Sequence, residues 1–139
     1  MIEGQDILYF SADDWDCGIT TSQTHIATTL AEKNRILYIN SIGLRKPTVS
    51  ATDVGRAYKK LKKFFQGIQK VRENIWVFTP IVIPFHQSKI FQKINKLLMV
   101  LYINLYRRKL KMKQPIFWTF LPNLVDLIGK FNESKVIYY

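Results

Sequence analysis

A single cysteine, Cys17, stands in the 139 residues, so no internal disulfide can form, and the usage suits a reducing compartment. The N-terminus lacks the marks of an export signal. Met1-Ile2-Glu3-Gly4-Gln5-Asp6 carries acid where a secretory leader carries Lys or Arg, and no long apolar run follows it. Long hydrophobic runs are missing elsewhere too: Leu97 to Tyr106 is broken by Asn104 and falls far short of the roughly 20 residues that cross a bilayer. Acidic residues are scarce, 10 against 21 Lys and Arg, which leaves a net charge of +11. That excess favours an anionic partner, whether nucleic acid, a phospholipid surface or a phosphorylated substrate. No G-x-G-x-x-G follows the first apolar run, Asn40 rather than an acid ends the second, and no G-x-x-x-x-G-K-[ST] occurs, which argues against dinucleotide binding and against a nucleotide triphosphatase. His86, Cys17 and the aspartates lack the spacing of a zinc site, and no metal is expected.

What the chain does have is enough apolar residue, 47%, for one good core. Ile7-Leu8-Tyr9-Phe10, Ile36-Leu37-Tyr38-Ile39, Ile75-Trp76-Val77-Phe78, Ile116-Phe117-Trp118-Thr119-Phe120 and Val136-Ile137-Tyr138-Tyr139 are apolar on successive positions. Such runs predict strands buried on both faces, as in a parallel sheet. Helical stretches separate them. Thr20-Thr21-Ser22-Gln23 reads as a capping box with Thr20 as cap, and Ile26, Ala27 and Leu30 give the first helix one apolar face. Val54, Tyr58, Leu61 and Phe65 recur at helical spacing behind Thr52 or Asp53, with Gly67 as the stop. From Lys89 to about Met112 the set Ile90, Ile94, Leu97, Leu98, Leu101 and Leu105 predicts a long helix with its leucines on the core. A short helix over 124–131, capped by Asn123, leads into the last strand. The resulting fold class is α/β, a doubly wound, Rossmann-like parallel sheet of about five strands with helices on both faces. Because Tyr139 ends the chain inside a strand, the sequence is expected to be truncated. The Ser/Thr/Pro/Gly-rich stretch 41–52 is expected to be a surface loop.

In an open α/β sheet, ligands bind at the carboxyl ends of the strands. The turn Ser11 to Thr20 after the first strand is therefore the first candidate site, with Gly18 permitting close approach of the backbone and helix amides at Thr21 and Ser22 available to a phosphate or hydroxyl. His25, one helical turn after Thr21, could act there as a contact or a base. Asp14-x-Asp16 fits the carboxylate pair that holds a metal on a sugar nucleotide, but the pattern is too short to separate it from an acidic solvated turn. Asp13 and Asp14 also suit a phosphoacceptor receiver, which wants a further aspartate where this chain has Thr79-Pro80. On the long helix, Lys89, Lys93, Lys96, Arg107 and Lys111 share a stripe that includes Val100 and Ile103, and Lys59, Lys60, Lys62 and Lys63 with Phe64 repeat the theme on the preceding helix. Apolar residues among lysines predict a membrane-facing surface of Lys59, Lys63, Phe64, Lys89, Lys93, Lys96, Val100, Ile103 and Arg107.

Asp13-Asp14-Trp15, the stretch Ser22-Gln23-Thr24-His25-Ile26-Ala27-Thr28-Thr29-Leu30-Ala31 and the run Arg35 to Asn40 resemble the opening of bacterial glycosyltransferases of the GT-B fold. The similarity is to the teichuronic-acid type and related retaining enzymes of glycosyltransferase family 4. It extends through Val77 to Phe85, Ile116 to Asn123 and Val136 to Tyr139. The resemblance implies an N-terminal, acceptor-side domain over residues 1–139, with a nucleotide-sugar-binding domain missing from this chain. It further implies that Asp16, Cys17, Gly18, Ile19, Thr20, His25, Thr79, Phe120 and Asn123 line the substrate cleft. No cofactor is implied beyond the sugar-nucleotide donor of the full-length protein, and the acceptor would be a saccharide or lipid-linked molecule. Ser22 stands where relatives often carry Arg, which puts the acceptor in doubt. The expected location is the cytoplasm, peripherally at the inner face of the cell membrane, and the fragment alone should be inactive. The alternative is a non-catalytic basic module on nucleic acid or anionic membrane. For nucleic acid no motif is present, and most of Tyr58, Phe64, Phe65, Tyr102 and Tyr106 are assigned to core-facing positions.

Overall fold

The computed structural model describes residues 2–42, 51–81 and 88–139. Of the loop expected over 41–52, residues 43–50 lie outside the described residues, and the chain is already helical from Ala51, so Thr52 and Asp53 stand inside the helix rather than at its cap. The side chain of Val54, and His86 with the rest of 82–87, also lie outside what is described. Strand β1 (Asp6–Phe10) pairs in parallel with β2 (Arg35–Ile39) on one side and with β5 (Ile116–Thr119) on the other. Strand β4 (Ile75–Phe78) extends the sheet beyond β2, and β6 (Lys135–Tyr138) extends it beyond β5, both in parallel. Strand β3 (Gln69–Arg72) closes the β4 edge in antiparallel fashion, giving the order β3-β4-β2-β1-β5-β6. The molecule is thus α/β with a six-stranded, mostly parallel sheet flanked by helices, an arrangement compatible with a Rossmann-like fold. The sequence reading had about five strands, all parallel. It missed β3 because Gln69-Lys70-Val71-Arg72 is exposed at every position and carries no apolar run.

Side chains alternate across a strand, so odd and even positions of the central strands build separate clusters. Ile7, Tyr9, Ile36, Tyr38, Ile116 and Trp118 gather with Ala27 and Ala31, which belong to helix α1 (Ser22–Leu30) and its C-cap. Leu8, Phe10, Leu37, Ile39, Phe78 and Phe117 gather with Met99 and Ile103 of helix α3 (Lys89–Lys109), and Phe64 of helix α2 (Ala51–Phe65) leans on them. Rings interlock in this second layer: Phe10 stacks on Phe117 at 4.5 Å, and Phe78 meets Tyr106 at 4.8 Å. Gly67, at φ +71, ends the α2 region where a Cβ would come within 3.3 Å of the Tyr106 hydroxyl. The start of the chain and the end of α3 are tied by Arg35, which donates to Asp6 at 2.7 Å and to the Leu110 carbonyl at 2.8 Å.

Three local expectations change. The N-cap of α1 is Thr21, not Thr20: its hydroxyl accepts from the Thr24 amide while the Thr24 hydroxyl accepts from the Thr21 amide. Gln23 cannot close the box because its side chain is held by Ser11 and Ala12. The expected helix over 124–131 is a 3-10 turn, Pro122–Leu127, with Leu121 rather than Asn123 at its cap and Pro122 in its first position. The largest change concerns α2 and α3. Ile90, Leu97, Leu101 and Leu105 are 56 to 69% exposed, and on α2 Tyr58, Leu61 and Phe65 are exposed as well. α3 instead buries Asn95, Met99 and Ile103, with Tyr102 and Tyr106 half-buried beside them. Aromatic rings and Met fill the space over Phe78 and Phe10 with more contact area than a row of leucines, while Asn95 and the two tyrosines hide that face from a hydrophobicity count.

Candidate functional site

The carboxyl edge of the sheet is organised around the end of β1. Ser11 is buried, and its hydroxyl donates to the side-chain carbonyl of Gln23 at 2.7 Å. The same Gln23 oxygen accepts from the Ala12 amide at 2.8 Å, and the Tyr9 hydroxyl donates to the Gln23 backbone carbonyl at 2.7 Å. Tyr38 donates to the Ser11 hydroxyl at 2.7 Å, and burial pushes the Tyr38 phenol up to about 12, so it stays a donor. Burial likewise raises the Tyr9 phenol well above its ordinary value. One strand over, Asn40 accepts from the Trp15 amide and donates to the Thr79 hydroxyl, both at 2.8 Å. Each of these buried polar side chains therefore has a partner inside the fold, whereas the buried indole N–H of Trp118, whose ring stacks on Tyr9 at 6.0 Å, has none among the described residues.

The acidic turn that follows rests on that base. Asp14 accepts from the Ser41 amide and hydroxyl, with Lys60 at 3.7 Å, and Asp16 forms an ion pair with Lys63 at 2.6 Å. The hydrogen bond from Lys63 holds the Asp16 carboxyl below its usual range. Both carboxylates thus have cations from α2 as partners, and no group of three metal-ligating side chains occurs among the described residues. Beyond the turn Cys17, Gly18, Ile19 and Thr20 are all exposed, with Gly18 at φ +83 and open space where a Cβ would stand. His25 is exposed on the first turn of α1, and its side chain has no partner among the described residues.

A cavity of about 620 Å³ opens beside this edge, between the first half of α3, the 3-10 turn and Ile42. Met99, Leu124, Leu127 and Ile42 supply apolar wall, while Lys89, Lys93, Lys96 and Asn123 supply polar wall. None of the three lysines makes an ion pair among the described residues. They sit in the first eight positions of α3, whose first turn holds no acidic residue and adds the positive end of the helix dipole beside Lys89. Positive potential is therefore concentrated on a partly apolar cavity, an environment for a ligand that joins an anionic head to an apolar body. Asp126 is the one carboxylate on the lining among the described residues.

No protein-family model, no curated protein and no solved structure matches the chain.

The structure separates the residues that sequence had grouped. Thr79, expected in the cleft, is buried and bonded to Asn40. Phe120 packs its edge on Tyr9 at 5.3 Å and on Tyr139 at 5.5 Å. Asn123 alone of the expected cleft residues lines the cavity, and Asp16 to Thr20 with His25 form an exposed rim on the β1 corner. The expected membrane-facing stripe is corrected at several positions. Ile103 is wholly buried and Val100 packs against the same core. Phe64 stands edge-on to Tyr102 at 4.8 Å. Arg107 is turned back onto Asn104 and the Met112 carbonyl, closing the end of α3. Lys63 is paired with Asp16, and Lys89, Lys93 and Lys96 line the cavity, whereas Lys59 remains exposed. Sequence reasoning missed Ser11, Gln23, Tyr38 and Asn40 as the scaffold of the corner. Ser11 and Asn40 were visible only as polar residues following apolar runs, while Gln23, on α1, and Tyr38, inside β2, gave no signal of this role.

Proposed function

We propose that this chain is the acceptor-side, doubly wound half of a GT-B glycosyltransferase. In this reading it holds a lipid-linked or saccharide acceptor at the carboxyl edge of the sheet, at the inner face of the cell membrane. A second, nucleotide-sugar-binding domain supplies the donor, and the groups that stabilise its departing diphosphate lie there. The observation that carries the reading is the lysine-lined cavity at the carboxyl edge, near the point where the strand order turns back between β1 and β5. Its mixed lining suits a phosphorylated isoprenoid or a similar amphiphile: lysines for the phosphate, and Met99, Leu124 and Leu127 for the first carbons of the chain. The exposed Gly18 corner and His25 offer hydroxyl and phosphate contacts on the neighbouring loop.

Two measurements on the chain test this. Geranyl phosphate, kept below its aggregation limit and titrated by calorimetry, should bind, and Lys93→Gln with Lys96→Gln should weaken it about tenfold or more, the size of a lost charge-assisted contact. Sugar-nucleotide turnover by the chain alone should be absent. Binding indifferent to both lysines, or efficient turnover without a second domain, would defeat the proposal.

A basic nucleic-acid module is the second reading, and one observation favours it. Tyr58 and Phe65, assigned from sequence to the core, are exposed beside Lys59 and Lys62, and exposed rings among cations can stack on bases. Salt-sensitive RNA binding lost in Tyr58→Ala with Phe65→Ala, together with no response to geranyl phosphate, would replace the first reading with this one.

A further inference from the structure

We infer that the outward face of α3 is a docking surface for an anionic lipid bilayer. This names the surface by which the chain would be held at a membrane, and rests on the reading above only for that location; the cavity lies on another side of the same helix. Ile90 is 69% exposed, Leu97 58%, Leu101 56%, Leu105 56% and Ile94 37%. At about 1.5 Å of rise per residue the stripe from 90 to 105 runs for roughly 22 Å along the helix. A contiguous apolar strip of this kind, left open to water, marks a contact surface rather than scattered exposure.

Its chemistry selects the occupant. α3 carries Lys89, Lys93, Lys96, Arg107, Arg108 and Lys109 and no acidic residue. Arg107 is held by the fold and the first three lysines line the cavity, yet Lys93 also borders the stripe, and Arg108 and Lys109 stand exposed at its far end. Lysine is depleted from protein interfaces, and leucine is under-represented among the residues that hold them together. A helix with leucine and isoleucine on one face and lysine or arginine along its border is instead the composition that lies flat at a lipid surface, apolar side in and cations at the headgroups. No described helix is long and apolar enough to cross a membrane, so α3 would rest on the bilayer rather than span it. α2 adds a smaller surface of the same type, with Tyr58, Leu61 and Phe65 exposed near Lys59 and Lys62.

The experiment is flotation of the chain with vesicles of phosphatidylcholine alone and of phosphatidylcholine mixed with phosphatidylglycerol. Binding is expected to the mixed vesicles, weakly or not at all to the neutral ones, and to fall as salt is raised. Leu97→Ser with Leu101→Ser should cut binding about tenfold or more, through the loss of apolar burial. Both positions are solvent-facing, so circular dichroism and the melting temperature should stay near those of the parent. The inference is overturned by absence of flotation with mixed vesicles, by equal flotation of parent and variant, or by a dimer in light scattering that the variant dissolves while vesicle binding is unchanged. Geranyl phosphate binding without vesicle binding would remove this inference and leave the cavity reading intact; the reverse result would remove the cavity reading alone.

Discussion

The β1 corner and the outward face of α3, a helix packed on the same sheet, solve opposite problems. At the corner, hydroxyls and amides are taken out of water and answered in turn: Tyr38 by Ser11, Ser11 by Gln23, Trp15 by Asn40, Asn40 by Thr79. On α3, apolar groups are left in water and nothing described answers them. The contrast extends to the inward faces of the helices. α1 comes down on the sheet with Ala27 and its neighbour Ala31, small side chains on a tyrosine-rich layer, whereas α3 places Met99, Ile103 and two tyrosine rings on a phenylalanine-rich one. A closed corner holds a loop in fixed shape, and an open stripe invites a partner. Rigidity and recruitment are thus assigned to different elements.

The sharpest way to break that comparison is to truncate the two faces of α3 in turn. Ile103→Ala removes a fully buried side chain among Phe10, Phe78 and Phe117, and should cost about 2–5 kcal/mol through lost transfer and the cavity left behind. Leu101→Ala, two residues away and solvent-facing, should stay within about 0.5 kcal/mol, because Ala is the better helix former and little packing is lost. Urea midpoints with unchanged slopes would measure both. Comparable losses at the two positions would mean that the helix is rotated and the leucines are inside, as the sequence pattern alone suggests.

That pattern shows what was legible and what was not. The central strands were readable because a strand buried on both faces leaves a continuous apolar run: Ile7 to Phe10, Ile36 to Ile39, Ile75 to Phe78 and Ile116 to Thr119 all stand in register. The polar edge strand β3 left no such run. For α3, periodicity located the helix but not its rotation, since apolar residues cover more than one face and the buried one includes Asn95 and two tyrosines. The site was legible only as a place. The carboxyl edge follows from the order of elements, but which lysines meet at a cavity depends on the rotation of α3, and the pairing of Asp16 with Lys63 joins residues 47 apart. The cap of α1 moved by one residue for a similar reason: Gln23 is drawn off by Ser11, a partner 12 residues away.

The corner is tested next. Gln23→Ala removes the acceptor of both the Ser11 hydroxyl and the Ala12 amide while Ser11 stays buried, and should cost about 1–3 kcal/mol, the penalty of leaving such a group unanswered. Faster amide exchange at Ala12 and Asp13, with the rest of the sheet still protected, would localise the loss. A penalty under about 0.5 kcal/mol would mean that water replaces Gln23 easily and that the corner is no more closed than the α3 face.

The smallest effect concerns the ion pair that ties the corner to α2. Lys63 holds the Asp16 carboxyl below its ordinary value, so folding is favoured by the charged form. With the folded value lowered, that contribution is fully present above the unfolded aspartate value of about 3.9 and is lost as pH falls through the lower folded value. The Asp16 side chain is 58% exposed, so solvent and salt screen the pair, and about 0.2–1 kcal/mol is the expected size. Lys63→Gln should therefore lower stability by that amount at neutral pH and low salt. The difference from the parent should shrink in strong acid, where Asp16 is protonated in both chains, and also in high salt. If the Lys63→Gln penalty were the same at both ends of the pH range, the lysine would be contributing through the packing of its methylene stem rather than through its charge, and α2 would be joined to the corner by contact alone.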